Sequence, residues 1–193
     1  MTSAPRITRT PVDLSKAALR KALLAARLEL ADETRQRWDG AIKAGVIAWW
    51  RAQPVPTLGV YWPLRGEPDL HAAYAELAAL GVRLALPVTL EKDAPLRFAR
   101  WQPGEPMAQD AMKMPVPAQL RFEPCPPALL VPCLGFNRAR LRLGYGGGFY
   151  DRTLAQAPRP ATLGVVYACM TAQFAGDAHD IALDAIVTER GLV

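Results

Sequence analysis

The sequence predicts an α/β fold whose sheet is buried on both faces, and three observations lead there. Short, almost continuous apolar runs recur along the chain, the signature of strands covered on both sides. Amphipathic helical stretches separate the first of them, which favours parallel pairing. Proline is frequent, at 18 of 193 residues, so elements are short and loops abrupt, and a bundle of long helices is excluded.

In order, Asp13 or Ser15 can cap a first helix running to about residue 30, rich in Ala and Leu and free of Gly and Pro. Its charges form a narrow stripe: at ~100° per residue, Lys16, Arg20 and Arg27 fall within about 40° of one another. Asp32 caps a second helix reaching Trp49 and Trp50, stopped by Pro54 and Pro56. Residues 57–62 read as a buried strand bounded by Pro63. A helix over 69–80 is closed by Gly81, and a strand over 82–88 follows. Residues 95–101 alternate like an antiparallel edge strand. The Pro-rich stretch 102–127 reads as one long loop, a lid or binding segment. Residues 128–132 form a third buried strand, a helix leaves a glycine segment and ends by residue 157, and 161–167 and 184–188 complete the strands.

Length, 51% hydrophobic and 21% charged residues suit one soluble domain and exclude a disordered, collagen-like or coiled-coil chain. The net charge of +5 comes from Arg, which outnumbers Lys 18 to 5. Arg favours phosphate and carboxylate partners, so nucleic acid and an anionic small molecule both stay open at this level. Cys125, Cys133 and Cys169 have no metal-site spacing and an odd count, which argues against zinc and disulfides. No apolar stretch is long enough to span a bilayer. The first dozen residues lack an apolar signal core, so residues 1–12 are read as a flexible start and the chain as cytoplasmic.

The chemistry concentrates in RLGYGGGFYD, Arg142 to Asp151, between a buried strand and a helix. Gly144, Gly146, Gly147 and Gly148 can bring backbone N–H groups onto an anion at a helix start. Arg138, Arg140, Arg142 and Arg152 flank this turn, and Asp151 lies among them as a carboxylate suited to Mg²⁺ shared with phosphate. Neither the P-loop nor the dinucleotide glycine pattern is met. A tight structural turn would also explain the glycines, though not the surrounding charges. The residues alone therefore point to a phosphate-binding loop for a nucleotide with Mg²⁺.

That string resembles the signature of the 5-formyltetrahydrofolate cyclo-ligase family. Further similarities follow in family order: Lys16 and Arg20 spaced as Lys-x-x-x-Arg, YWPLRGEPD from Tyr61 to Asp69, MPVP from Met114 to Pro117, and HDIALD from His179 to Asp184. The resemblance implies a single three-layer Rossmann-like α/β domain over 13–193, with a mostly parallel sheet flanked by helices. It implies ATP- and Mg²⁺-dependent closure of 5-formyltetrahydrofolate to 5,10-methenyltetrahydrofolate by a monomer that binds neither nucleic acid nor membrane.

By the same resemblance, ATP is held by Lys16, Arg20, Arg142, Leu143, Gly144, Tyr145, Gly146, Gly147, Gly148, Phe149 and Tyr150. The folate meets Arg20, Trp62, Glu67, Tyr145, Gly146, Gly147, Gly148 and Phe149. Arg142 and Tyr145 carry the catalysis, and Asp151 and Asp184 hold the metal. Two positions depart from the family, which has Phe-Asp-x-x-Gly where this chain has Asn137 and Arg140. The competing reading is a non-catalytic nucleotide- or RNA-binding module. The aromatics, however, are not interleaved with Arg as a base-stacking strand requires.

Overall fold

The structure is a computed structural model that describes residues 15–193. Asp13 and the 1–12 segment lie outside the described residues. Ser15 caps α1 (Lys16–Leu28), its hydroxyl accepting from the Ala18 amide at 3.3 Å. Asp32 does not cap the second helix as expected. It is the first residue of α2 (Asp32–Ala52), where with Glu33 it offsets the helix dipole and pairs with Arg35.

The remaining elements are mostly strands, with a helix after β1 and another after β9. They are β1 (Thr57–Gly59), α3 (His71–Ala79), β2 (Arg83–Val88), β3 (Arg97–Trp101), β4 (Met107–Gln109), β5 (Pro115–Pro117) and β6 (Phe122–Glu123). Then come β7 (Ala128–Pro132), β8 (Gly135–Phe136), β9 (Arg142–Leu143), α4 (Phe149–Leu154), β10 (Ala161–Val165), β11 (Ala185–Thr188) and β12 (Gly191–Leu192).

Eight strands form one sheet in the order β12-β11-β10-β7-β1-β2-β3-β6. Its five central strands are parallel; β12 pairs antiparallel with β11, β3 with β2, and β6 with β3. The sheet is thus mostly parallel and helix-flanked, as expected. Along the parallel strands the order is β2-β1-β7-β10-β11, so the chain reverses direction across the sheet between β1 and β7. Such a switch point opens a crevice at the carboxyl ends of the two strands.

Leu58, Leu129, Leu130, Val131, Leu163, Val165, Ile186 and Val187 from the sheet form the core with Ile42 and Val46 of α2 and Tyr74 and Leu77 of α3. Two expectations fail. The 102–127 stretch is not one loop: β4 and β5 pair as a hairpin and β6 joins the main sheet. β3 is consequently not the edge strand. The hairpin is organised by Asp110, whose carboxylate accepts from the amides of Thr89, Met112 and Met114. A side chain, not an apolar period, sets this structure.

Candidate active site

The glycine loop lies beyond the carboxyl end of β7, between β9 and α4. Gly146 and Gly148 have φ of +96° and +66°, which only glycine adopts without strain. At Gly144 a Cβ would stand 2.5 Å from Arg142 Nη1, so the guanidinium would have to shift. Among the described residues, the amides of residues 145–148 donate no hydrogen bond. These donors lie in an exposed stretch and are free to meet a ligand from solvent.

The cationic stripe of α1 faces this crevice, and each member takes a different loop. Lys16 Nζ reaches Asp177 and Asp180, each at 2.6 Å. Arg20 Nε donates to Gly144 O at 2.8 Å. Arg27, fully buried, donates to Arg65 O at 3.0 Å, to Cys133 O at 3.4 Å and to the Tyr145 hydroxyl. Arg65 follows β1 and Cys133 follows β7, so Arg27 bridges the two strand ends of the switch point.

Glu67 enters from the β1 side and is only 7% exposed. One of its oxygens accepts from the Leu64 amide at 3.0 Å, the other from the Tyr145 hydroxyl at 2.7 Å. Burial pushes its carboxyl above the ordinary glutamate value, against the pull of those two bonds and of Arg27 and Arg65. Tyr145 as a whole is half-exposed, but its hydroxyl is held between Glu67 and Arg27, and burial beside Glu67 pushes it up to about 12. Trp62 packs edge-on against His71 and Trp101, with ring centroids 4.7 and 5.8 Å away.

Arg142 is 7% exposed in its side chain and pairs with Asp151 at 2.7 Å. Its guanidinium lies 5.3 Å from the Tyr150 ring centroid, and its buried Nε has no partner. A buried guanidinium N–H left unpaired is costly. Leu143 is buried, and Phe149 and Tyr150 pack against the core, so these three shape the loop from beneath.

The other flanking Arg residues separate. Arg152 ties Gly147 O to Asp93 at 2.8 Å each, while Arg138 is exposed. Arg140 turns away from the loop and donates to Leu183 O at 3.1 Å. Its φ of +57° explains the family's glycine there, and this chain offsets the strain with hydrogen bonds on both sides of the residue. Asn137 takes over the turn: its Oδ1 accepts from the amides of Ala139 and Leu141 at 3.0 Å, and its Nδ2 donates to Phe174 O. A carboxylate could not make that last bond.

Asp184 does not join Asp151. It precedes β11 and is bonded to Thr162 near the start of β10, at the amino-terminal ends of these strands. One oxygen accepts from the Thr162 amide and hydroxyl, and the other pairs with Arg159 at 3.1 Å. No group of three or more His, Cys, Asp or Glu positioned for a metal exists among the described residues. Arg27, which ties the site together, was visible in the sequence only as the last member of a stripe.

The fold and the crevice together define a doubly wound α/β protein with a glycine loop beside its switch point. Residues 12–189 match the 5-formyltetrahydrofolate cyclo-ligase family, and the chain belongs to that family. It is 32% identical to a 5-formyltetrahydrofolate cyclo-ligase of Mycolicibacterium smegmatis, over 93% of this chain and 96% of that one. Two solved structures named as 5,10-methenyltetrahydrofolate synthetases share its fold. The one from Mycoplasma pneumoniae superposes with a TM-score of 0.72 at 26% identity, covering 91% of this chain and 99% of its own. The one from Aquifex aeolicus gives 0.75 at 27%, covering 92% and 91%.

Proposed function

We propose that this chain is a working 5-formyltetrahydrofolate cyclo-ligase, which uses ATP to convert 5-formyltetrahydrofolate to 5,10-methenyltetrahydrofolate. The observation that carries the reading is one crevice holding an anion-binding loop and a buried carboxylate. The free 145–148 amides and the Arg142 guanidinium suit phosphate oxygens, and Glu67 suits the N–H donors of a pterin.

The chemistry follows from the substrate. A formamide oxygen is a poor leaving group. It attacks the γ-phosphorus of ATP, the bond to the β-phosphate oxygen breaks, and ADP departs. N10 then adds to the activated carbon, phosphate is expelled, and the N10 proton is lost to solvent. Positioning and charge stabilisation supply most of the rate in such a transfer. Arg142 and the loop amides hold the transferring phosphoryl group, Arg20 fixes the loop through Gly144 O, and Trp62 and Tyr145 flank the folate. Lys16 reaches a phosphate only by exchanging Asp177 and Asp180 for it.

For Mg²⁺ the fit rests on Asp151. Its second oxygen has no partner among the described residues and its side chain is 20% exposed, which suits a cation shared with phosphate oxygens. Bound there, Mg²⁺ supplies charge neutralisation on the phosphates. The test is formation of methenyltetrahydrofolate, followed by absorbance, with and without ATP and Mg²⁺. Product should require both, and Asp151→Ala should make little. Thermal stabilisation by an oligonucleotide, with none by Mg-ATP or the folate, would overturn the reading in favour of a nucleic-acid-binding module.

A further inference from the structure

Arg27 has no role in the chemistry above, yet it is the most buried charge in the crevice, with no exposed surface. An arginine is rarely buried without partners for its nitrogens. Here Nε and Nη1 each take a backbone carbonyl, one from the segment after β1 and one after β7. That leaves Nη2, which goes to the Tyr145 hydroxyl.

Directionality follows. A guanidinium only donates, so the phenol oxygen accepts from Arg27 and its own proton must point elsewhere. Glu67 Oε1 lies 2.7 Å away and takes that proton in a hydrogen bond. The second Glu67 oxygen is already bonded to the Leu64 amide. The chain Arg27 to Tyr145 to Glu67 therefore has a fixed sense. It also joins the glycine loop to the segment after β1. The other cation near this chain, Arg65, stacks on the Tyr145 ring with its carbon 5.4 Å from the centroid, and so supports the ring but not the hydroxyl.

We propose that Arg27 is a positioning residue for the reaction: from beneath the crevice it orients the Tyr145 hydroxyl, which in turn presents Glu67 as a fixed carboxylate to the ring N–H groups of the folate. The proposal rests on the reading that this crevice takes a folate. It separates Arg27 from its two neighbours on the stripe, since Arg20 and Lys16 serve the glycine loop and the C-terminal segment.

The relay is directed at one substrate, so its loss has a direction too. Without Arg27 the phenol can rotate, and Glu67 loses both a bound orientation and a nearby positive charge. Folate binding weakens, while the amides and Arg142, which suit the nucleotide, are untouched.

The experiment is steady-state kinetics of the full chain with both substrates varied, for wild type, Arg27→Met, Arg27→Lys and Tyr145→Phe. Loss of one charge-assisted bond predicts a rise of roughly 10- to 100-fold in the KM for 5-formyltetrahydrofolate in Arg27→Met. Its KM for ATP should stay within about twofold and kcat should fall little. Arg27→Lys should recover part of the loss, because an ammonium can still donate to the hydroxyl. Tyr145→Phe keeps Arg27 and the half-exposed ring, so it folds even if Arg27→Met does not, and it should reproduce the folate effect.

An unchanged folate KM in Tyr145→Phe would overturn the relay. So would Arg27 variants that lose kcat and both KM values together, the pattern of a purely structural residue. Wild type that forms no methenyltetrahydrofolate would instead overturn the functional reading, before any variant is compared.

Discussion

Two Arg–Asp pairs stand at opposite ends of the sheet, and they differ in everything except composition. Arg142 and Asp151 lie beyond the carboxyl ends of the strands, 2.7 Å apart, with side-chain exposures of 7% and 20%. Arg159 and Asp184 lie at the amino ends, 3.1 Å apart and 40% and 46% exposed. The first pair is left incomplete, with a buried guanidinium Nε and one carboxylate oxygen unpartnered among the described residues. In the second both carboxylate oxygens are used, because Thr162 takes the one that Arg159 does not. Incomplete bonding in a buried pair is what a ligand site needs, and complete bonding in an exposed pair is what a strand start needs.

Removing Arg142 should produce the largest effect. Arg142→Met deletes the buried donor and leaves Asp151 without its cation, so kcat/KM should fall about 100- to 1000-fold, the cost of one preorganised donor at a developing charge. Arg142→Lys should recover little, since one ammonium cannot serve both Asp151 and a phosphate in the guanidinium geometry. Initial rates of methenyltetrahydrofolate formation check both. A near-wild-type Arg142→Met would erase the contrast between the pairs.

The segment between residues 172 and 184 connects the two regions and should give an intermediate effect. At one end Lys16 grips Asp177 and Asp180, and at the other Leu183 is held by Arg140 on both its amide and carbonyl. Asp177→Asn with Asp180→Asn should free Lys16 for the nucleotide and lower the KM for ATP by about two- to fivefold, the modest size expected of a partly exposed ion pair.

The same tie is sensitive to acid. Burial opposes ionisation of Asp180, but hydrogen bonds from Lys16 and the Asp177 amide outweigh it and hold the carboxyl below its ordinary value. A carboxyl depressed in the folded state contributes stability that is present above its unfolded pKa and lost as pH falls through the folded one. Limited proteolysis at falling pH should therefore cut within 172–184 before the sheet unfolds, and the double variant should have lost that pH dependence.

The same contrast explains what could be read in the sequence. The strands expected over 82–88 and 128–132 were legible because parallel strands buried on both faces read as near-continuous apolar runs. The β4–β5 hairpin was not, because Asp110 organises it by capping three amides, and Pro115 and Pro117 disguise β5. The glycine loop was legible because two of its positions need left-handed backbone. Arg27 was placed on the correct helix face, but a period cannot say that a tyrosine from a distant loop will bury it. Asp151 and Asp184 had the same standing as metal candidates. Only the register of β10 with β11 and β7 shows that they belong to different ends of the sheet.

Asp184 should give the smallest effect, and it is the sharpest test of the contrast. Asp184→Asn keeps an acceptor oxygen for the Thr162 amide and loses only the charge toward Arg159. An exposed pair of that kind is worth at most about 1 kcal/mol. Asp184→Ala also removes the acceptor from the buried Thr162, which should cost about 1–2 kcal/mol. Both variants should turn over at the wild-type rate with an unchanged Mg²⁺ requirement, and urea unfolding should rank them wild type, Asn, Ala. Should Asp184→Asn instead lose activity at unchanged stability and regain it with excess Mg²⁺, the amino-end pair would share the metal with Asp151. The two ends of the sheet would then have to communicate through the 172–184 segment, and the distinction between a complete and an incomplete pair would fail.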